Sequence, residues 1–165
     1  MYITATRPNM MFVVCFVSRF MVKPTELHLQ VAKRALRYLK GTVDYGIFYK
    51  KGGNKELIAF TDSDYAWDLE DKKSTSGYVF MLTGEAVSWS SKKQPIITFS
   101  TTEAKFVEVA AYVCQTLWMR RILEKLSHAQ DGCTIMRCDN SSTIEFSKIH
   151  VSTLMCNFIF YVILL

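Results

Sequence analysis

The longest helical pattern in the chain runs from Thr101 to about Leu126, directly after two β-hairpin patterns in succession. Val107, Ala110, Cys114, Leu117 and Leu123 mark one apolar stripe of that segment. The first hairpin pattern sets Gly46 to Lys50 against Glu56 to Thr61 across Lys51-Gly52-Gly53-Asn54. The second sets Tyr78 to Leu82 against Ala86 to Ser90 across Thr83-Gly84-Glu85. A β-meander followed by one long helix makes that helix the central one of a mixed α/β fold, because neither element can bury its apolar side alone. Thr134 to Cys138 is a further short strand, ending at Asp139-Asn140-Ser141-Ser142, and Thr143 to Lys148 begins a helix with Ser142 and Glu145 at capping-box spacing.

Ahead of the hairpins, Pro8 to Phe20 reads as a short buried helix with proline in its first turn. Thr25 to Lys40 reads as a second, on Leu29, Ala32, Leu36 and Leu39, with Gly41 at its C-terminal cap. Lys33, Arg34, Arg37 and Lys40 line the rest of that helix. They read first as a solvated face and second as a stripe that could track phosphates. The 165 residues are 50% apolar and 21% charged, with 7 Gly and 3 Pro, which allows one cored domain, or one plus a fragment, and excludes a disordered chain. A net charge of +5 permits a polyanionic partner.

The 5 cysteines include no C-x-x-C pair, which argues against a disulfide framework or zinc site and for a reducing, intracellular compartment, cytoplasmic or nuclear. Met10 to Val17 and Leu154 to Leu165 are apolar, but both are shorter than the roughly 20 residues of a spanning helix, so no membrane partner is expected. Arg19 and Phe20 stand where a signal-peptide cleavage site would need small residues.

Three carboxylates occupy positions that this order of elements could bring together. Asp62 follows the apolar strand Leu57 to Phe60, Glu103 lies in the first turn of the long helix, and Asp139 follows Cys138. Hard oxygen ligands in a cluster suit Mg²⁺, and two such ions about 4 Å apart can hold the attacking and leaving oxygens of a phosphoryl transfer. Each residue also has a plainer role. Ser100 and Glu103 make a capping box, Asp139 can cap the following helix, and Asp62-Ser63-Asp64 can be turn aspartates.

Five ordered motifs add to this: Phe60-Thr61-Asp62-Ser63-Asp64-Tyr65-Ala66, Lys73-Ser74-Thr75-Ser76-Gly77-Tyr78-Val79-Phe80, Ser88-Trp89-Ser90-Ser91-Lys92-Lys93-Gln94, Ser100-Thr101-Thr102-Glu103-Ala104 and Cys138-Asp139-Asn140. In order and spacing, over about Gly46 to Lys148, they resemble the ribonuclease H domain of Ty1/copia-type retrotransposon Pol polyproteins. Ala5-Thr6-Arg7-Pro8 and Arg37-Tyr38-Leu39-Lys40-Gly41-Thr42 resemble the segment that joins reverse transcriptase to it. The resemblance divides the chain into a helical tail of the reverse transcriptase and connection region (residues 1–44), a truncated ribonuclease H-like domain (45–150) and an unrelated apolar tail (151–165).

What the resemblance implies is a mixed sheet with three antiparallel strands and a central helix, acting on an RNA–DNA hybrid beside a reverse transcriptase domain of the parent polyprotein. Two Mg²⁺ ions, or Mn²⁺, would hydrolyse the RNA strand. Asp62, Glu103 and Asp139 would be the catalytic and metal-holding carboxylates, with Asp64 and Glu108 as near neighbours. Lys92 and Lys93 would meet phosphates.

The copy departs from that pattern in three places. The last strand and terminal helices, with the fourth carboxylate, are expected to be missing, since Val151 to Leu165 matches nothing in the family. Trp67 replaces a glycine beside the expected metal loop, and Lys105 stands where an acidic residue is common. These changes imply an impaired hybrid endoribonuclease, or, as the alternative, a non-catalytic nucleic-acid-binding or interaction relic of a polyprotein.

Overall fold

The structure, a computed structural model, describes residues 2–52, 56–64 and 72–138, and the backbone of 161–164. Its centre is a sheet of order β3-β2-β1-β4-β5, built from β1 (Leu57–Asp64), β2 (Thr75–Leu82), β3 (Glu85–Lys93), β4 (Ile135–Cys138) and β5 (Tyr161–Leu164). β1, β2 and β3 are antiparallel, whereas β4 runs parallel to β1 and β5 parallel to β4. The helix α4 (Thr101–Lys125) crosses this sheet. Three antiparallel strands and a central helix are the arrangement expected from the sequence.

Side chains alternate along β1: Leu57, Ala59, Thr61 and Ser63 are buried, while Asp62 and Asp64 are exposed. The buried set divides by chemistry along the sheet. One end is apolar, where Leu57, Ala59, Phe80 and Met136 meet Val109, Val113, Met119 and Leu123 of α4. The other end, where β1 delivers Asp62, is polar and hydrogen-bonded. There Gln94 donates from Nε2 to Ser76 Oγ at 2.7 Å and to the Ala104 carbonyl at 2.8 Å, tying the end of β3 to the start of α4.

The buried face of α4 differs from the expected stripe. It carries Ala104, Lys105, Glu108, Val109, Tyr112, Val113, Thr116, Met119 and Leu123, while Ala110 and Cys114 are exposed. The reason is that both sides of this helix mix apolar and polar residues, so hydrophobic periodicity alone has no strong direction to follow. The sheet then selects the face carrying Val109 and Val113 together with Lys105 and Glu108.

Two strand expectations change as well. Gly46 to Lys50 forms no strand; Phe48 is 78% exposed, and the Tyr49 hydroxyl donates to the Ala86 carbonyl at 2.8 Å. The meander therefore begins at β1. Conversely, the tail supplies a strand: Tyr161–Leu164 pairs residue by residue with Ile135–Cys138. A last strand is thus present. Tyr-Val-Ile-Leu is β-prone, and pairing it with β4 satisfies an edge that would otherwise offer unpaired backbone groups.

The N-terminal segment lies against the sheet through α1 (Tyr2–Thr6), a single 3₁₀ turn (Pro8–Met10) and α2 (Met11–Ser18), which touches β3. Trp89 Nε1 donates to the Thr4 carbonyl at 2.7 Å, and the Arg19 guanidinium donates to Thr75 Oγ1 at 3.2 Å. Met10 is the one residue of α1, the turn and α2 that is fully buried, so the expected buried helix is a half-buried one. The helix α3 (Glu26–Gly41) begins at a Thr25 cap that His28 completes through Nδ1, and His28 stacks on Phe20 with ring centroids 4.0 Å apart. No residue of α3 is fully buried.

Candidate functional site

Antiparallel pairing with β2 carries β1 to Asp62, opposite Gly77 and two residues from the strand end. Its carboxylate is 73% exposed and accepts from the Lys105 ammonium, Nζ to Oδ1, at 3.2 Å. Lys105 is 8% exposed and sits on the first turns of α4. The side chain that α4 brings to Asp62 is therefore a cation.

Glu103 has a different occupation. Ser100 caps α4 by accepting from the Glu103 backbone N–H at 3.1 Å, and the Glu103 carboxylate reaches back to accept from the Phe99 N–H through Oε2 at 2.6 Å. This is the helix-start role that the Ser100 to Glu103 spacing offered as the plainer reading. Two residues along a helix turn a side chain by about 200°, so a cap at 103 and a contact with Asp62 at 105 belong to different sides. Asp139 lies outside the described residues, as do Trp67 and the Ser142 to Glu145 spacing.

Glu108, one turn beyond Lys105, is 1% exposed. Next to it, the Tyr112 phenol has its pKa pushed well above the usual tyrosine range, first by burial, then by the charge on Glu108 and by Tyr78, with Asp62 adding a little. A hydrogen bond with Ser76 opposes the shift. Tyr112 packs edge-on to Tyr78 with centroids 4.8 Å apart. Lys92 is exposed and Lys93 half-buried at the end of β3, on the rim of a cleft of about 280 Å³ that also reaches Gln94, Glu108 and Tyr112. A second cleft, of about 330 Å³, opens beside Asp62 and Asp64 between the sheet and Pro8, Met11 and Phe12.

A divalent cation needs several anionic or neutral oxygens converging on one point. Among the described residues no group of three His, Cys, Asp or Glu side chains is close enough to hold one. The obstacle is chemical as well as numerical. An ammonium at 3.2 Å from Asp62 already supplies positive charge there, and the Glu103 carboxylate is engaged by backbone. Of the three carboxylates that the sequence pattern implies, the two among the described residues, Asp62 and Glu103, are thus engaged by Lys105 and by the Phe99 N–H. In the sequence Lys105 is marked only by standing where an acidic residue is common; helical phase is the signal that places it, since position 105, with 108 and 112, shares the sheet-facing side.

No protein-family model matches the chain. It is 42% identical over 139 residues to the retrovirus-related Pol polyprotein from transposon RE1 of Arabidopsis thaliana, a match covering 84% of this chain and 10% of that protein. It is 39% identical over 114 residues to secreted RxLR effector protein 161 of Plasmopara viticola, covering 69% of this chain and 80% of that one. Among solved structures it is similar to LC11-RNase H1 isolated from compost, at a TM-score of 0.48 and 12% identity over 67% of this chain and 84% of that one. The chain thus spans about a tenth of the Pol polyprotein it matches.

Proposed function

Because this chain belongs to the retrovirus-related Pol polyprotein family of transposons, we propose that its ribonuclease H-like domain binds nucleic acid without hydrolysing it. The observation that carries this reading is the Lys105 to Asp62 ion pair. In the hydrolytic version, divalent ions activate the attacking water and stabilise the leaving oxygen. An ammonium has no open coordination position, so it cannot do either.

The same pair favours binding. A bare rim of carboxylates repels a phosphate backbone unless metal covers it, whereas Lys105 neutralises Asp62 from within the fold. With 20 Lys and Arg against 15 Asp and Glu, the surface then accepts a polyanion in the absence of metal. The ligand class this supports is the RNA–DNA hybrid, with a reverse transcriptase domain supplying further contacts in a full polyprotein.

The test is to incubate purified chain with a labelled RNA–DNA hybrid in Mg²⁺, in Mn²⁺ and in chelator, scoring both binding and strand integrity. Equal binding in all three, with both strands intact, is the expected result. Cleavage of the RNA strand that disappears in Asp62→Asn would refute the proposal.

A further inference from the structure

The helix α3 holds more than half of the chain's positive excess. With Lys33, Arg34, Arg37 and Lys40 against Glu26, it carries a net +3 of the overall +5. All four cations are exposed. At about 100° per residue they fall within roughly a 120° arc, and at about 1.5 Å of rise per residue Lys33 and Lys40 stand roughly 10 Å apart along the axis. Leu27, Gln30, Val31, Lys33, Arg34 and Arg37 line a shallow groove.

What α3 rests on decides what this face can meet. It touches the N-terminal segment through His28, stacked on Phe20, and through Tyr38, whose hydroxyl accepts from Asn9 Nδ2 at 2.6 Å. An amphipathic helix that lies in a membrane must free its apolar side for the lipid. Here that side is partly engaged, through His28 and Tyr38, with Leu29 46% and Leu36 63% exposed beside the cations, which form a row of guanidinium and ammonium groups suited to a row of phosphates.

We propose that the Lys33, Arg34, Arg37 and Lys40 face of α3 is a phosphate-backbone contact surface for nucleic acid. The inference rests on the nucleic-acid-binding reading above and assigns it a place in the fold away from Asp62. The face carries no base-reading geometry, so its contribution is independent of sequence and strongly dependent on salt.

The experiment compares the full chain with a variant in which Lys33, Arg34, Arg37 and Lys40 are all changed to Gln, measuring hybrid binding by fluorescence anisotropy across a salt series. Each duplex phosphate contact adds about 0.9 to the slope of log affinity against log salt. Loss of four contacts should lower the slope by about 3 to 4. Raising salt from about 50 to about 200 mM should therefore weaken the parent roughly a hundredfold more than the variant. A second variant with Lys33→Arg and Lys40→Arg should keep the parent's slope, and circular dichroism should report unchanged helix content in both. If the parent binds and the Gln variant keeps its slope, the α3 assignment is wrong while the binding reading stands. If the parent binds no nucleic acid, both fail. Binding of anionic vesicles but not of hybrid, abolished in the Gln variant, would overturn the proposal in favour of a membrane surface.

Discussion

On the proposed reading, replacing Lys105 with glutamate should make the stability of the domain depend on divalent ions. Two unit charges about 4 Å apart interact by about 1 kcal/mol in water and about 4 kcal/mol near a protein surface. Asp62 is 73% exposed and Lys105 only slightly so, which places this site between those limits. Lys105→Glu exchanges an attraction for a repulsion and sets a new carboxylate one turn from buried Glu108, so a loss of about 3 kcal/mol in chelator is expected. A divalent ion bound by the new pair would restore about 2.7 kcal/mol at a hundred times its Kd. Lys105→Met is the companion variant. It removes the pair without adding charge and should cost no more than about 1 kcal/mol, since the partner carboxylate stays in water. Urea unfolding with Mn²⁺, with Mg²⁺ and with chelator measures all of this. The reasoning fails if the parent protein is saturably stabilised by Mg²⁺ in a manner lost in Asp62→Asn, or if Lys105→Glu is as stable as the parent in chelator.

Three further outcomes test the fold that holds this site. Gln94→Leu removes both buried bonds from Nε2 and should cost about 2 to 3 kcal/mol in urea unfolding. Thr83, at φ 56°, and Gly84, at φ 86°, form the two-residue turn between β2 and β3; because a β-branched residue is strained there, Thr83→Asn should raise stability by about 1 kcal/mol. Tyr112 has a folded pKa above its unfolded value near 10, so its contribution to stability is complete below pH 10 and is lost as pH rises beyond it. Tyr112→Phe should therefore flatten the fall in stability above pH 10, followed by unfolding at a series of alkaline pH values.

The strand and helix boundaries were legible where local chemistry is decisive. Ser100 caps its helix as its spacing to Glu103 suggests, and Thr83-Gly84 turns the β2 to β3 hairpin. Which side of α4 faces the sheet was not legible, because Lys105, Glu108 and Thr116 are buried alongside Val109 and Val113. Burying polar residues is a tertiary decision that hydrophobic periodicity does not encode. That single ambiguity separates a site with Glu103 pointing inward from one with Lys105 there. The pairing of Tyr161–Leu164 with β4 was hidden for a related reason: a short β-prone run has no partner until a sheet edge exists to receive it.

The way the N-terminal helices are fastened has its own consequence. Thr4 is tied to Trp89 and Arg19 to Thr75, contacts that close long loops but bury little apolar surface. Segments held in that manner open at a lower free energy than the core they rest on. Amide exchange should accordingly be quickest in α1 and α2, intermediate in β3 and slowest in β1 and the middle of α4. Each such opening takes Pro8, Met11 and Phe12 away from the cleft beside Asp62. The accessible width of that cleft is thus governed by a peripheral unfolding equilibrium, and a mutation at a residue that does not line it, such as Arg19→Met, would change how often a ligand can enter.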